Sequence, residues 1–418
     1  MINLFNYLLI SNVFTSGIIL FKTNFEFYVG YIFMLIFLLY YFAVYRKPYI
    51  SLKFISVLAI ILFISFINVW LGYDSKTLLI KQFSAFLFNG LAYYLLIKAN
   101  KNDIDKLFRI YLKLAVIMAL IGIFQEISFL VSFKYGYNYS YFIHKMQPAQ
   151  VIWGMLPVSA LLPEPAHFGA AMAPAMFVSV LAMIKKDYSF INRSAAILII
   201  FSVLLSFSLV AYIGIVSALV MIMLNYQKAR LVAVCTFILV FFSCFSYRYL
   251  PNIKVRVDDT LAVINHKIPL PDANLSTFTF YTNALVAYES LLRNPVFGSG
   301  LGSHKISYDY FNTQVINIYN FKKPLNKEDA GSLLLRLISE TGLLGILMFF
   351  YFIARFYVSR RKDEYFWLIS NSILCLVILN LLRMGNYFYG GFILFIWLYY
   401  FAFKAAAGTP SGTAHERT

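Results

Sequence analysis

Apolar runs close to the length of a membrane crossing, separated by short polar stretches, fill the chain up to about residue 250 and again from 330 to 404. A helix needs roughly 20 apolar residues to cross the hydrocarbon, because lipid offers its backbone amides no other partner. By that measure the pattern predicts about twelve transmembrane helices, at 3–21, 25–45, 50–72, 78–98, 109–133, 166–184, 194–208, 209–224, 230–250, 330–357, 365–383 and 387–404. The seventh and eighth divide one apolar run, 195–224, at Ser206-Phe207-Ser208, since a single tilted helix absorbs about 25 residues. Two stretches interrupt the pattern. Residues 134–165 are aromatic and carry Pro148, Pro157, Pro163 and Pro165, and residues 251–329 are ordinary polar sequence. Inside the second, Phe280, Ala284, Ala287 and Leu291 recur at helical steps, so Ser276 to Arg293 is expected as a helix stopped by Asn294-Pro295.

The expected fold is therefore an all-α polytopic membrane protein with one large loop containing helices. Its parts are 1–250 (helices one to nine with the smaller loop 134–165), the large loop 251–329, and 330–404 (helices ten to twelve). The small, polar stretch 405–418 is unlike the rest and is expected to be an appended remnant, which sets aside His415 and Arg417. The first span carries no small-residue cleavage site and is expected to be retained.

Composition agrees. With 61% hydrophobic and 13% charged residues, the chain lacks the polar surface of a soluble domain. A net charge of +17 would suggest nucleic acid in a soluble protein, but here the basic residues punctuate the ends of apolar spans, and membrane orientation accounts for them. The loops after spans two, four, six, eight and ten hold Arg46, Lys47 and Lys53; Lys98, Lys101, Lys106 and Arg109; Lys185, Lys186 and Arg193; Lys228 and Arg230; and Arg360, Arg361 and Lys362. The positive-inside rule then puts both termini in the cytoplasm and 251–329 outside. Cys235, Cys244 and Cys375 all lie in apolar runs, which argues against a disulfide framework or a zinc site. No internal repeat is visible, which weakens a transporter or flippase built from related halves.

Several residues have types and places suited to chemistry. Glu164 and His167, at the outer mouth of span six, sit in Leu162-Pro163-Glu164-Pro165-Ala166-His167-Phe168. They suit a general base and its orienting partner, or a helix cap. Arg336 and Glu340 share one face of span ten, as an ion pair that is either structural or functional. Arg383 closes span eleven, where it can snorkel. Arg256, Arg293 and Lys305 could bind a polyanion. Gly298, Gly300 and Gly302 either expose backbone N–H groups to a ligand or form a turn between helices. The rings Tyr135, Tyr137, Tyr139, Tyr141, Phe142 and Trp153 suit headgroup anchoring or stacking on sugars.

At these residues the chain resembles a known group. Glu164-Pro165-Ala166-His167-Phe168 is similar to the EPSHF-type motif of Wzy-type O-antigen polymerases. Asn294-Pro295-Val296-Phe297-Gly298-Ser299-Gly300-Leu301-Gly302 resembles the NP-x-x-G-x-G segment of the O-antigen ligase and polymerase superfamily, and Ser332 to Gly345 resembles the helix that follows that family's large periplasmic loop. One departure matters: the ligases carry a His-Asn pair at the loop-to-helix junction, where this chain has Glu328-Asp329 followed by Gly331-Ser332. An arginine common near Phe278 to Thr282 is also absent.

The resemblance implies a GT-C-like, metal-independent and cofactor-free glycosyltransferase in the bacterial inner membrane. It would extend undecaprenyl-pyrophosphate-linked repeat units at the periplasmic face, with a chain-length regulator as a partner and no nucleic acid. The missing histidine favours polymerase over the ligase that transfers glycan to lipid A-core. In the roles so implied, Glu164, His167 and Asp329 serve the acceptor hydroxyl, while Arg256, Arg293, Lys305, Arg336 and Arg383, with the three glycines, hold the pyrophosphate.

Overall fold

The computed structural model describes residues 1–22, 26–45, 50–146, 149–226, 229–319 and 325–408. Arg46, Lys47, Pro148, Lys228, His415 and Arg417 lie outside the described residues, as does most of 405–418. In chain order the elements are α1 (Ile2–Ser11), β1 (Ile19–Lys22), β2 (Glu26–Tyr28), α2 (Val29–Val44), α3 (Leu52–Trp70), α4 (Lys76–Ala99), α5 (Ile104–Leu130) and the single turn α6 (Lys134–Tyr137). They continue as α7 (Pro165–Lys185), α8 (Arg193–Leu204), α9 (Leu209–Tyr226), α10 (Ala229–Tyr249), α11 (Pro251–Ile264), α12 (Leu275–Arg293), α13 (His304–Tyr319), α14 (Leu333–Arg355), α15 (Glu364–Arg383) and α16 (Phe392–Gly408).

A helix stands at each of the twelve expected spans, and the chain is a polytopic, mostly helical membrane protein. Among the described residues seven helices are long and apolar enough to cross a membrane: α5, α7, α9, α14, α15, Val232–Tyr249 of α10, and Tyr389–Gly408, which carries α16. The run 195–224 is broken where expected, since α8 stops at Leu204 and α9 starts at Leu209. Ser206 turns its hydroxyl back to the Val203 carbonyl, and Phe207 takes a positive φ of 46°, which a continuous helix does not allow.

The expected first span, 3–21, is corrected. Its helix ends at Ser11, and Ile19 to Lys22 pairs antiparallel with Glu26 to Tyr28. Hydropathy could not see this, because Thr15-Ser16-Gly17 are turn formers embedded in an apolar run. Gly17 lets the chain press against the 134–165 segment, where a Cβ would lie 2.7 Å from Ile143 and 3.0 Å from Pro163.

Helix starts follow ordinary capping chemistry. Ser75, Asp103, Asn192, Ser332 and Asp363 each accept a backbone N–H from the first turn of the helix they open. At the centre lies α7, buried along most of its length against α8, α9 and α15. Its small residues permit close approach, and at Gly169 a Cβ would come 2.8 Å from the backbone of Ala211 on α9. This central helix carries Pro163-Glu164-Pro165 at its amino-terminal end.

The predicted helix of the large loop is α12, opened by Asn274, whose side chain accepts from Ser276 N and Thr277 N at 3.1 Å. It packs on α14. There α14 is broken at Gly342 (φ 60°, ψ −159°), and the backbone freed by the break is taken up by 295–300. Leu343 N donates to Pro295 O at 2.9 Å and Leu344 N to Val296 O at 3.0 Å. In return Ser299 N donates to Ser339 O and Gly300 N to Glu340 O, both at 2.9 Å.

Candidate active site

A residue held extended by the proline that follows it does not join a helix, so Glu164, between Pro163 and Pro165, sits at the N-cap position of α7 with φ −147° while Pro165 occupies the first helical position. Glu164 stands at the positive end of the α7 dipole, but its side chain makes no capping hydrogen bond. Burial raises its carboxyl above the usual carboxylate range, and the neighbouring charge of Asp329 raises it further. One turn on, the His167 ring lies over the Tyr389 ring at 4.8 Å, and its Nδ1 is buried without a partner among the described residues.

Asp329 arrives from the other end of the molecule. The turn before α14 places Ala330 and Gly331 at positive φ (59° and 63°), and Asp329 Oδ1 accepts from Gly331 N at 3.1 Å. Ser332 Oγ donates to Leu381 O at 2.6 Å, fastening this turn to the end of α15. Gly385, just beyond α15, lies so close that a Cβ would overlap the Asp329 carbonyl. Burial raises the Asp329 carboxyl, while Arg336, the Gly331 N–H and Lys145 pull it back. Glu164 and Asp329, far apart in the chain, therefore lie within each other's field.

Beneath them is a fully engaged buried pair. Arg336 Nε donates to Glu340 Oε1 at 2.8 Å and Nη1 to Gly385 O at 3.2 Å, with the Tyr387 ring 4.2 Å from the guanidinium. Tyr387 donates its hydroxyl to Glu340 Oε2 at 2.9 Å. Removing one partner of such a pair costs about 3–5 kcal/mol, because the other is left charged in a dry site. With Glu340 and Gly385 as its partners, Arg336 holds the floor of the site.

The other cations divide. Arg256 on α11 and Arg383 at the end of α15 lie within range of each other's charge, and among the described residues neither has a carboxylate at ion-pair distance. Burial lowers the Arg256 guanidinium from its ordinary value. Arg383 stands two residues before Gly385, where a Cβ would meet the Asp329 carbonyl. Arg293 instead lies between the rings of Tyr73 and Tyr310, at 4.9 and 4.7 Å, and Lys305 pairs with Glu328 at 2.6 Å.

The expectation that Gly298, Gly300 and Gly302 expose N–H groups is corrected in part. The N–H groups of Gly298, Ser299 and Gly300 are bonded to the carbonyls of Asn294, Ser339 and Glu340. At Gly302 the backbone takes a positive φ of 95° and a Cβ would lie 3.3 Å from the Leu78 carbonyl, so backbone conformation and close packing both favour the glycine there.

Sequence reading passed over Lys145, Glu26, Tyr28, Gly385, Tyr387, Tyr389 and Asp74. Lys145 Nζ reaches Glu26, Tyr28 OH at 2.7 Å and Tyr389 OH at 3.3 Å. A lone lysine in an aromatic segment gave no signal of this. Asp74, between α3 and α4, accepts from Ser75 N at 2.7 Å, and its other oxygen is buried and unpartnered beside Gly300. Burial pushes its carboxyl up to about 7. The chain's Asp-x-Asp, Asp103-Ile104-Asp105, is engaged elsewhere: Asp103 caps α5, and Asp105 holds Arg109 at 2.8 Å. His304 is a pin rather than a base, since burial lowers it to about 3 and it links Ser339 Oγ (2.8 Å) on α14 to Asn283 Oδ1 (3.0 Å) on α12.

Fold and site together define a polytopic membrane protein with paired carboxylates and uncompensated guanidiniums at one end of its helices. Residues 194–350 match a family model described as O-Antigen ligase, and this bears out the resemblance to the O-antigen ligase and polymerase superfamily. The matched stretch holds Arg256, Asp329 and the Gly298–Gly342 contact, and it ends before Arg383; Glu164 and His167 precede it. No curated protein matches the chain.

Proposed function

We propose that this chain polymerises undecaprenyl-pyrophosphate-linked oligosaccharide repeat units into O-antigen or a related surface polysaccharide, at the periplasmic face of the inner membrane. The observation that carries this reading is that Glu164 and Asp329, remote in the chain, lie within range of each other's charge, in a protein whose Arg256 and Arg383 have no carboxylate at ion-pair distance among the described residues. Glycosyl transfer from a lipid pyrophosphate needs a base for the acceptor hydroxyl and cations for the leaving group. In the proposed step the acceptor oxygen forms a bond to the anomeric carbon, its proton passes to a carboxylate, and the bond from that carbon to the pyrophosphate oxygen breaks. The departing lipid pyrophosphate is held by Arg256 and Arg383.

Glu164 is the preferred base. Its side chain makes no capping bond and both burial and Asp329 raise its affinity for a proton, whereas at Asp329 part of the rise that burial gives is held back by Arg336 and Lys145. His167 flanks Glu164 as an orienting group. Polymerase is favoured over ligase because Gly331-Ser332, where the ligases carry His-Asn, serves here to turn the chain and cap α14. The test is incubation of purified protein with a synthetic lipid-pyrophosphate repeat unit. A ladder of longer products supports the reading. Transfer only to a lipid A-core acceptor would assign a ligase instead, and movement of the intact lipid between leaflets without new glycosidic bonds would assign a flippase.

A further inference from the structure

Lys145 joins its own segment to two parts of the chain remote from it and from each other in sequence. Its ammonium reaches the Glu26 carboxylate, the Tyr28 hydroxyl at 2.7 Å and the Tyr389 hydroxyl at 3.3 Å. A lysine has three N–H donors, so these contacts use its whole hydrogen-bonding capacity and leave none for a substrate. Two of the partners belong to β2 and one to the turn before α16. Tyr389 in turn carries His167 on its ring face at 4.8 Å, one helical turn from Glu164.

We propose that Lys145 is a positioning residue of this site, tying the amino-terminal hairpin to Tyr389 beneath His167 and supplying a positive charge that faces Asp329. The inference deepens the polymerase reading and rests on it for its catalytic meaning. The charged and titratable groups acting on Asp329 are Arg336 on α14, Lys145, the adjacent Glu328, Glu164 at the start of α7, and Tyr389. Both cations are themselves paired, Arg336 with Glu340 at 2.8 Å and Lys145 with Glu26. Burial opposes a charged Lys145, but Tyr389 and Glu26 outweigh it and hold the ammonium protonated. With Lys145 in place part of the rise that burial gives the Asp329 carboxyl is held back, while burial and Asp329 both raise Glu164, and the two carboxyls are thereby set apart in proton affinity.

The test reads carboxyl protonation and does not depend on turnover. A hydrophobic carbodiimide reacts with protonated carboxyls, so its attachment to Asp329 is followed against pH by peptide mass spectrometry in the purified full-length protein. Lys145→Met should move the Asp329 labelling midpoint up by about one pH unit, the usual effect of removing a nearby opposite charge. Lys145→Arg should leave it near the wild-type value. Glu26→Gln, which retains Lys145 but removes its counter-charge, should move the midpoint down and serves also if Lys145→Met fails to fold. An unmoved midpoint in both Lys145→Met and Glu26→Gln overturns the proposal, as does absence of Asp329 labelling at every pH. If the midpoint moves but the wild type makes no ladder, Lys145 keeps its place and the polymerase reading falls. If the wild type makes a ladder and the midpoint stays fixed, the polymerase reading stands and Lys145 loses its positioning role.

Discussion

Gly298 and Gly342 meet backbone to backbone: a Cβ on Gly298 would lie 2.5 Å from Gly342 N, and one on Gly342 would lie 2.6 Å from Gly298 N. Both residues have positive φ, 64° and 60°. The glycine-rich motif is thus the partner of a helix break, and its conservative replacement should be costly. Gly298→Ala or Gly342→Ala must bear the positive-φ penalty and displace a main chain, a loss of at least about 2 kcal/mol. Thermal unfolding in detergent, followed by size-exclusion recovery, should show a marked drop for either variant, and Gly72→Ala, whose Cβ would meet nothing within 4 Å, should show far less.

Arg256 and Arg383 lack counter-charges among the described residues, so each can be removed without stranding a carboxylate. Arg256→Ala and Arg383→Ala should keep the fold and lose polymerisation by on the order of a hundredfold, the effect of deleting one charge-assisted contact made chiefly in the transition state. Excess EDTA should leave wild-type turnover intact. Loss of turnover with chelator, restored by magnesium or manganese, would contradict the assignment of the leaving-group charge to arginine.

Asp74 gives stability a pH dependence whose sign follows from the direction of its shift. Burial raises its carboxyl from 3.8 to about 7, so the stability gained from the protonated form is complete below about pH 4 and is lost as pH rises through about 7. Asp74→Asn stays neutral throughout. The variant should therefore melt at a higher temperature than wild type at about pH 8, with the gap closing towards about pH 4. Parallel melting curves across that range would remove Asp74 from this role.

Membrane orientation is tested by labelling with an impermeant thiol reagent. Asn265→Cys, exposed between α11 and α12, should react in intact spheroplasts, and Ser359→Cys, exposed after α14, should react only after the membrane is opened. The reverse pattern would invert the orientation drawn from the basic loops.

Much of the helical layout was legible because lipid leaves an apolar run few choices, and even the break at Ser206-Phe207-Ser208 showed in residue type. The amino-terminal hairpin was not legible, since Ile19-Leu20-Phe21 continues the apolar run of the first span and only the small turn at Thr15-Ser16-Gly17 interrupts it. Among site residues, Glu164 and His167 stood out through the flanking prolines, and Arg336 with Glu340 through the cost of an intramembrane charge. Lys145, Glu26 and Tyr389 could not stand out. Their meaning lies in contacts spanning more than a hundred residues, and no spacing rule links them. Arg293 and Lys305 looked equivalent to Arg256 and Arg383 by type, and only the neighbouring rings and Glu328 distinguish them.

The central claim is that Glu164 takes the acceptor's proton, and chain growth by Glu164→Gln on a synthetic lipid-pyrophosphate repeat unit tests it most directly. Glutamine preserves size and most hydrogen bonding but cannot accept the proton as a carboxylate can. In wild type the rate should fall as pH drops through the raised range of Glu164, because only the ionised form is a base. Glu164→Gln should bind the lipid substrate and yield no ladder at any pH, while Asp329→Asn still elongates. A normal ladder from Glu164→Gln, with none from Asp329→Asn, would move the base to Asp329; normal ladders from both would contradict a carboxylate base altogether.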